Sequence, residues 1–96
     1  MQHQLHGITF EWDNVKAIGN IKKHGISFEQ ACEVFFDPFL VVVDASEDDE
    51  QRDAIIAYDG SSHLLFVVHI FRDGDYFRII SARIASQQER NLYESQ

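Results

Sequence analysis

The stretch that most limits what this chain can fold into is residues 63–83, HLLFVVHIFRDGDYFRIISAR. Leu64 to Phe71 is a run of aliphatic, β-branched and aromatic residues, Asp73-Gly74 is a strong turn signal, and Tyr76 to Ala82 is a second run. That pattern predicts two antiparallel strands joined as a hairpin. A two-residue turn at Asp73-Gly74 sets Arg72 opposite Asp75, Phe71 opposite Tyr76 and His69 opposite Arg78. Alternation then puts Leu64, Phe66, Val68 and Ile70 on one face with Phe77, Ile79, Ser81 and Arg83. Leu65, Val67, His69 and Phe71 share the other face with Tyr76, Arg78, Ile80 and Ala82. The first reads as a core face until its last two positions, and the second sets an imidazole beside a guanidinium among aromatics. In this register Arg83 and His69 lie on opposite faces, and they share a site only if the strand twists or bulges before residue 83.

The rest of the chain supplies partners for that hairpin. Ile8 to Phe10 is a short strand, with Phe10 and Trp12 alternating against Glu11. Asp13 is a good N-cap for a helix over Asn14–His24, with Val15, Ile18 and Ile21 as its apolar stripe, the lysines facing water and Gly25 as its left-handed C-terminal residue. Ser27 with Gln30 reads as a capping box opening a second helix through about Phe36, which Asp37-Pro38 stops because a residue before proline leaves the helical region. Phe39–Val43 and Ala54–Tyr58 are further strands, and Ser86 with Glu89 caps a short helix over about Gln87–Tyr93. The predicted order is β-α-α-β-β-β-β-α. It points to an α+β fold, one mostly antiparallel sheet packed against two N-terminal helices with a short C-terminal helix, in a single domain spanning 1–96.

Composition narrows the chemistry. A lone Cys32 forms neither an internal disulfide nor a metal framework and reads as a small buried hydrophobe. No apolar run approaches a membrane span, and MQHQLHG is not a signal peptide, so a soluble cytoplasmic protein is expected. The net charge of −8 argues against a nucleic-acid partner at first sight. Its distribution weakens that objection: residues 44–53, DASEDDEQRD, carry six acids and one base, whereas residues 63–96 balance four arginines with four acids. The acidity is mostly one loop.

The five histidines are scattered, with no His-x-x-x-His, Cys-x-x-Cys or glycine-rich phosphate loop, so no cofactor or metal is expected. The candidate catalytic residues are isolated side chains. His24 ends a helix, where an imidazole equally serves the helix dipole. His69 lies mid-strand, where a neighbouring Arg78 would favour its neutral, basic form. Arg83 ends a strand, from which rigid backbone can aim a guanidinium at a phosphate. Arg52 lies at the mouth of the acidic loop, where pairing with Asp49 or Asp53 is the plainer reading. Lys22, Lys23, Arg72, Tyr76 and Ser81 are candidates for holding RNA, Tyr76 and Phe71 by stacking on bases. Arginines and histidines on a sheet suit RNA cleavage by the substrate's own 2′-hydroxyl, where the protein positions the nucleophile, removes a proton and neutralises a crowded phosphorane.

FEWDNVKAIGNIKKHGISFEQACEVFFDP at residues 10–38 and RIISARIASQQERNLY at residues 78–93 resemble the BrnT family of type II toxins. Phe-x-Trp-Asp, Lys-His-Gly, Phe-Phe-Asp-Pro and Ile-Ser-Ala-Arg follow in that order, and the resemblance covers residues 8–93. It implies a RelE-like fold and a metal-independent endoribonuclease that arrests translation. It also implies a ribbon-helix-helix (BrnA-like) antitoxin that masks the toxin and through which alone operator DNA is met. Carried over by position, His24, Arg52 and Arg83 are the residues the resemblance marks. The rival reading is a catalytically inactive relative kept for antitoxin and operator binding.

Overall fold

The turn at Asp73-Gly74 forms, with φ of 54° and 66° and the Asp75 N–H donating to the Arg72 carbonyl at 3.0 Å. Asp75 nevertheless stays outside the ladder, and Arg72 pairs with Tyr76 instead of Asp75. The register is therefore one residue longer at the turn than a two-residue hairpin gives, with Phe71 opposite Phe77, Ile70 opposite Arg78 and His69 opposite Ile79. A bulge follows: Val68 pairs with Ser81, so Ile80 is the extra residue, and Val67 and Phe66 then face Ala82 and Arg83. The expected neighbours His69 and Arg78 are thus on opposite faces of the sheet.

The computed structural model describes residues 1–96. Six strands, β1 (Gln2–Leu5), β2 (Ile8–Glu11), β3 (Val41–Asp44), β4 (Asp53–Tyr58), β5 (Leu64–Arg72) and β6 (Tyr76–Ile84), form one sheet in the order β1-β2-β6-β5-β4-β3. All neighbours are antiparallel except β2 and β6, which run parallel. The helices are α1 (Asn14–His24), α2 (Phe28–Cys32), continued by a 3-10 turn over Glu33–Phe36, and α3 (Gln87–Glu94). The α+β class holds, with one strand, β1, beyond the expected set. Its sequence, QHQL, is polar enough to carry no strand signal of its own, and it forms by pairing with β2.

The caps act as the sequence requires. The Asp13 carboxylate accepts from the N–H groups of Val15 and Lys16, and Gly25 ends α1 at φ 73°. Ser27 accepts from the Gln30 N–H, but the Gln30 side chain accepts no bond from the Ser27 N–H and instead donates to Asp59 at 2.6 Å, so the expected capping box is only half formed. Ser86 and Glu89 form the full reciprocal box.

The core face is the one that carries His69. Leu65, Val67, Ile79, Ala82, Ile55 and Ala57 pack there against Phe10, Trp12, Phe28, Ala31, Cys32 and Val34. The face expected to be the core holds Phe66, Val68 and Ile70, which remain half-buried. Burial pushes the Cys32 thiol up to about 12, as a buried hydrophobe's would be.

Helix α1 is also turned relative to expectation. Val15, Ile18 and Ile21 are 78, 57 and 50 % exposed, while Asn20 is buried. Asn20 accepts from the Ala82 N–H at 3.1 Å and donates to the carbonyls of Ala82 and Ile26 at 2.8 and 2.9 Å. β2 pairs with β6 only at Phe77 and Arg78, so Ala82 lies past the reach of that strand. The Asn20 amide there substitutes for a strand neighbour, satisfying both a donor and an acceptor. That demand, rather than the apolar stripe, fixes which side of α1 faces inward.

Candidate nucleic-acid interface

The bulge at Ile80 decides which side chains share the outer face. Without it, Ser81 and Arg83 would alternate with Tyr76 and Arg78 across the sheet. With it, Arg72 and Tyr76, Ile70 and Arg78, Val68 and Ser81, Phe66 and Arg83 form four successive cross-strand pairs, all on the face turned away from the core cluster. Arg72 is exposed, and Tyr76, Arg78, Ser81 and Arg83 are half-buried. Strands β1 and β2 extend this surface through Glu11, which lies beside Arg78.

Two carboxylate–guanidinium pairs sit on it. Arg78 is bound by Glu11. Arg83 lies over the Phe66 ring, 4.3 Å from its centroid, and donates from Nη1 and Nη2 to the two oxygens of Glu89, each at 2.8 Å. The Glu89 oxygen also accepts from the Ser86 N–H at 2.8 Å, so the capping box of α3 is what aims the carboxylate. The Arg83 hydrogen bonds hold the Glu89 carboxyl below the ordinary glutamate range, and the same bonds raise Arg83. α3 covers the lower part of the face. Arg90 donates to the Tyr58 hydroxyl at 3.2 Å, and the Tyr93 hydroxyl donates to Asp37 at 2.7 Å, ring against the Tyr58 ring.

The other expected residues do not join this group. His69 is 5 % exposed on the core face, its ring against Phe35 and Phe77 with centroids 4.9 and 5.6 Å away. Burial lowers its pKa, so it is neutral at pH 7 but without access to a substrate on the outer face. His24, Lys22 and Lys23 belong to α1, which packs on the helical side of β6, and none hydrogen-bonds or ion-pairs with the arginine face. Arg52 pairs with Glu50 at 3.1 Å, not with Asp49 or Asp53. No group of three His, Cys, Asp or Glu side chains comes together that could hold a metal ion. Glu89 and Glu11 were absent from the sequence candidates. Glu89 carried only its capping signal, and the six-residue step from Arg83 has no recognisable period.

A guanidinium with its plane fixed by an aromatic ring and a carboxylate is suited to meet a phosphate in a defined orientation. With Arg72 exposed and Tyr76 half-buried on the same face, the chain is a small α+β protein that presents an arginine-bearing sheet surface. The model of one family, described as the ribonuclease toxin BrnT of type II toxin-antitoxin systems, matches residues 12–89, and the chain belongs to that family. Membership implies an RNA substrate and an antitoxin partner. No curated protein matches the chain, and no helix of the structure is long and apolar enough to cross a membrane.

Proposed function

We propose that this protein is an endoribonuclease of RelE-like fold that cuts RNA on the arginine face, without a metal ion, and so arrests translation in the cytoplasm. Glu89 takes the proton of the 2′-hydroxyl as its oxygen attacks the adjacent phosphorus, the P–O5′ bond breaks, and the leaving 5′-oxygen takes a proton from water, giving a 2′,3′-cyclic phosphate and a 5′-hydroxyl. Arg83 meets the phosphorane, and Arg78 and Arg72 hold the flanking phosphates. Tyr76 carries a base by stacking, and Ser81 hydrogen-bonds the backbone. Neither His24 nor His69 lies on this face, and the base is Glu89, a carboxylate kept ionised beside the arginine that needs it. His24, Lys22 and Lys23, on the helical side of the sheet, and Arg52, bound by Glu50, take no part in the cut. A ribbon-helix-helix, BrnA-like antitoxin masks the enzyme and is its only link to operator DNA.

The observation that carries this reading is the bulge at Ile80, which gathers Arg83, Ser81, Arg78 and Tyr76 on one face. The pairing of both arginines with carboxylates is what favours the rival, a silent relative retained for antitoxin binding. A short RNA and the same RNA with a single 2′-deoxy nucleotide at its cleavage site separate the two. The proposal expects the first to be cut and the second to resist, while cutting of both removes the 2′-hydroxyl mechanism and cutting of neither supports the silent relative.

A further inference from the structure

On the helical side of the sheet a groove of about 400 Å³ runs between the 3-10 turn and strand β3, walled by Phe35, Phe36, Leu40 and Val42. Its polar end is Asp53 with His69, paired across β4 and β5. Asp53 also faces Asp44 across β3 and β4, and no ion pair of the chain includes either aspartate. Two hydrogen bonds from Ser46 hold the Asp44 carboxyl below the usual range, so it stays ionised. Like charges directly opposite in a ladder destabilise the sheet, and here Ser46 relieves Asp44 only by hydrogen bonding, with no ion pair to either carboxylate. Beyond this end the acidic loop adds Glu47 to Glu50. In the groove wall Val42 is 55 % exposed, and β3 is an edge strand with one side unpaired.

An apolar trough that ends at Asp53, with Asp44 facing it across the ladder, selects against RNA, whose phosphates the acidic end repels, and for a cation joined to apolar groups. We propose that this groove seats a cationic, apolar segment of the antitoxin, a lysine or arginine meeting Asp53 and Asp44 while its aliphatic or aromatic neighbours fill the trough against Phe36 and Leu40. The inference rests on toxin–antitoxin membership and not on the cleavage chemistry. The free edge of β3 lets such a segment lie alongside as an added strand. Relief of the facing aspartates makes its cation worth more here than at an ordinary surface site.

The test is the affinity of the antitoxin, co-expressed and purified as the complex, for Asp53→Lys and Val42→Arg toxins, read by titration calorimetry at two salt concentrations. Each substitution is expected to weaken binding tenfold or more, and wild-type affinity is expected to fall as salt rises. Ile18→Glu, on the exposed stripe of α1, should bind as wild type. Val42 is exposed, so Val42→Arg carries the test even if Asp53→Lys folds poorly. Wild-type affinity in Val42→Arg, or loss of binding in Ile18→Glu alone, overturns the proposal. RNA cleavage by the free Val42→Arg toxin, measured in parallel, judges the nuclease reading separately, because the groove and the arginine face lie on opposite sides of the sheet.

Discussion

Arg83 and Glu89 hold each other by two parallel hydrogen bonds of 2.8 Å across the junction of β6 and α3. The pair joins the strand end that presents the guanidinium to α3, the helix packed on that face. It has a structural part and, in the proposed mechanism, a chemical one, and the two are separable. The Arg83 side chain is 38 % exposed, so solvent screening limits the pair to about 1 kcal/mol of stability. Glu89→Gln, which also weakens the α3 cap, should lower stability by about 1–2 kcal/mol in urea unfolding. A loss of more than about 4 kcal/mol would mean that α3 anchors the fold, contrary to this reading.

The pH dependence of cleavage distinguishes carboxylate from imidazole. Glu89 is held below the ordinary glutamate value of 4.5, so its basic form persists as pH falls through the range in which a free histidine protonates. The rate should therefore be sustained at pH 5.5 and decline only below pH 4.5. A fall at higher pH, in the range where imidazoles protonate, would instead indicate a histidine base.

His69 gives a stability signature rather than a catalytic one. Its folded pKa lies below 6.5 because burial disfavours the imidazolium. Its neutral burial thus favours folding above pH 6.5, and that contribution is lost as pH falls from 6.5 through the folded value. His69→Phe, which keeps an aromatic ring against Phe35 and Phe77, should unfold with less pH sensitivity between 6.5 and 5 and cleave RNA at the wild-type rate. A large loss of rate in a folded His69→Phe protein would put the site on the wrong face of the sheet.

The turned helix is open to the same scrutiny. Ile18→Lys should change stability by less than about 0.5 kcal/mol, since Ile18 is exposed. Asn20→Leu should cost about 2 kcal/mol or more, because it strips partners from Ala82 and Ile26 in a buried place. Thermal melts that reversed this order would contradict the packing of α1.

These contrasts show where the sequence speaks plainly. Caps, proline stops and apolar runs act locally, so the α1 and α3 boundaries, the Gly25 terminus and the hairpin strands were legible from the residues alone. The face of each element was not. Register at Asp73-Gly74 depends on whether one residue, Asp75, joins the ladder, and the bulge at Ile80 has no composition of its own. Each shift moves every later side chain to the other face, so plain alternation puts Arg83 on the face of Phe66, where it lies, but puts Arg78 beside His69, where it does not. The inward side of α1 followed from a vacant strand edge at Ala82, a tertiary demand invisible in the helix pattern. The sequence marks Arg83, Arg78, Arg72, Tyr76 and Ser81, whereas Glu89 stands out only in the fold, where its partner Arg83 lies beside it.

The most direct measurement is RNA cleavage in EDTA by wild-type and Arg83→Ala proteins, with the product ends identified and each protein's melt recorded. The account predicts that wild type cuts in EDTA and leaves 2′,3′-cyclic or 3′-phosphate ends. It predicts that Arg83→Ala melts a few degrees lower yet stays folded and loses on the order of 10² or more in rate, and that Arg83→Lys recovers only part because a point charge cannot replace the planar fork. Near-normal cleavage by a folded Arg83→Ala protein, or cleavage that needs Mg²⁺ and leaves 5′-phosphates, would contradict it.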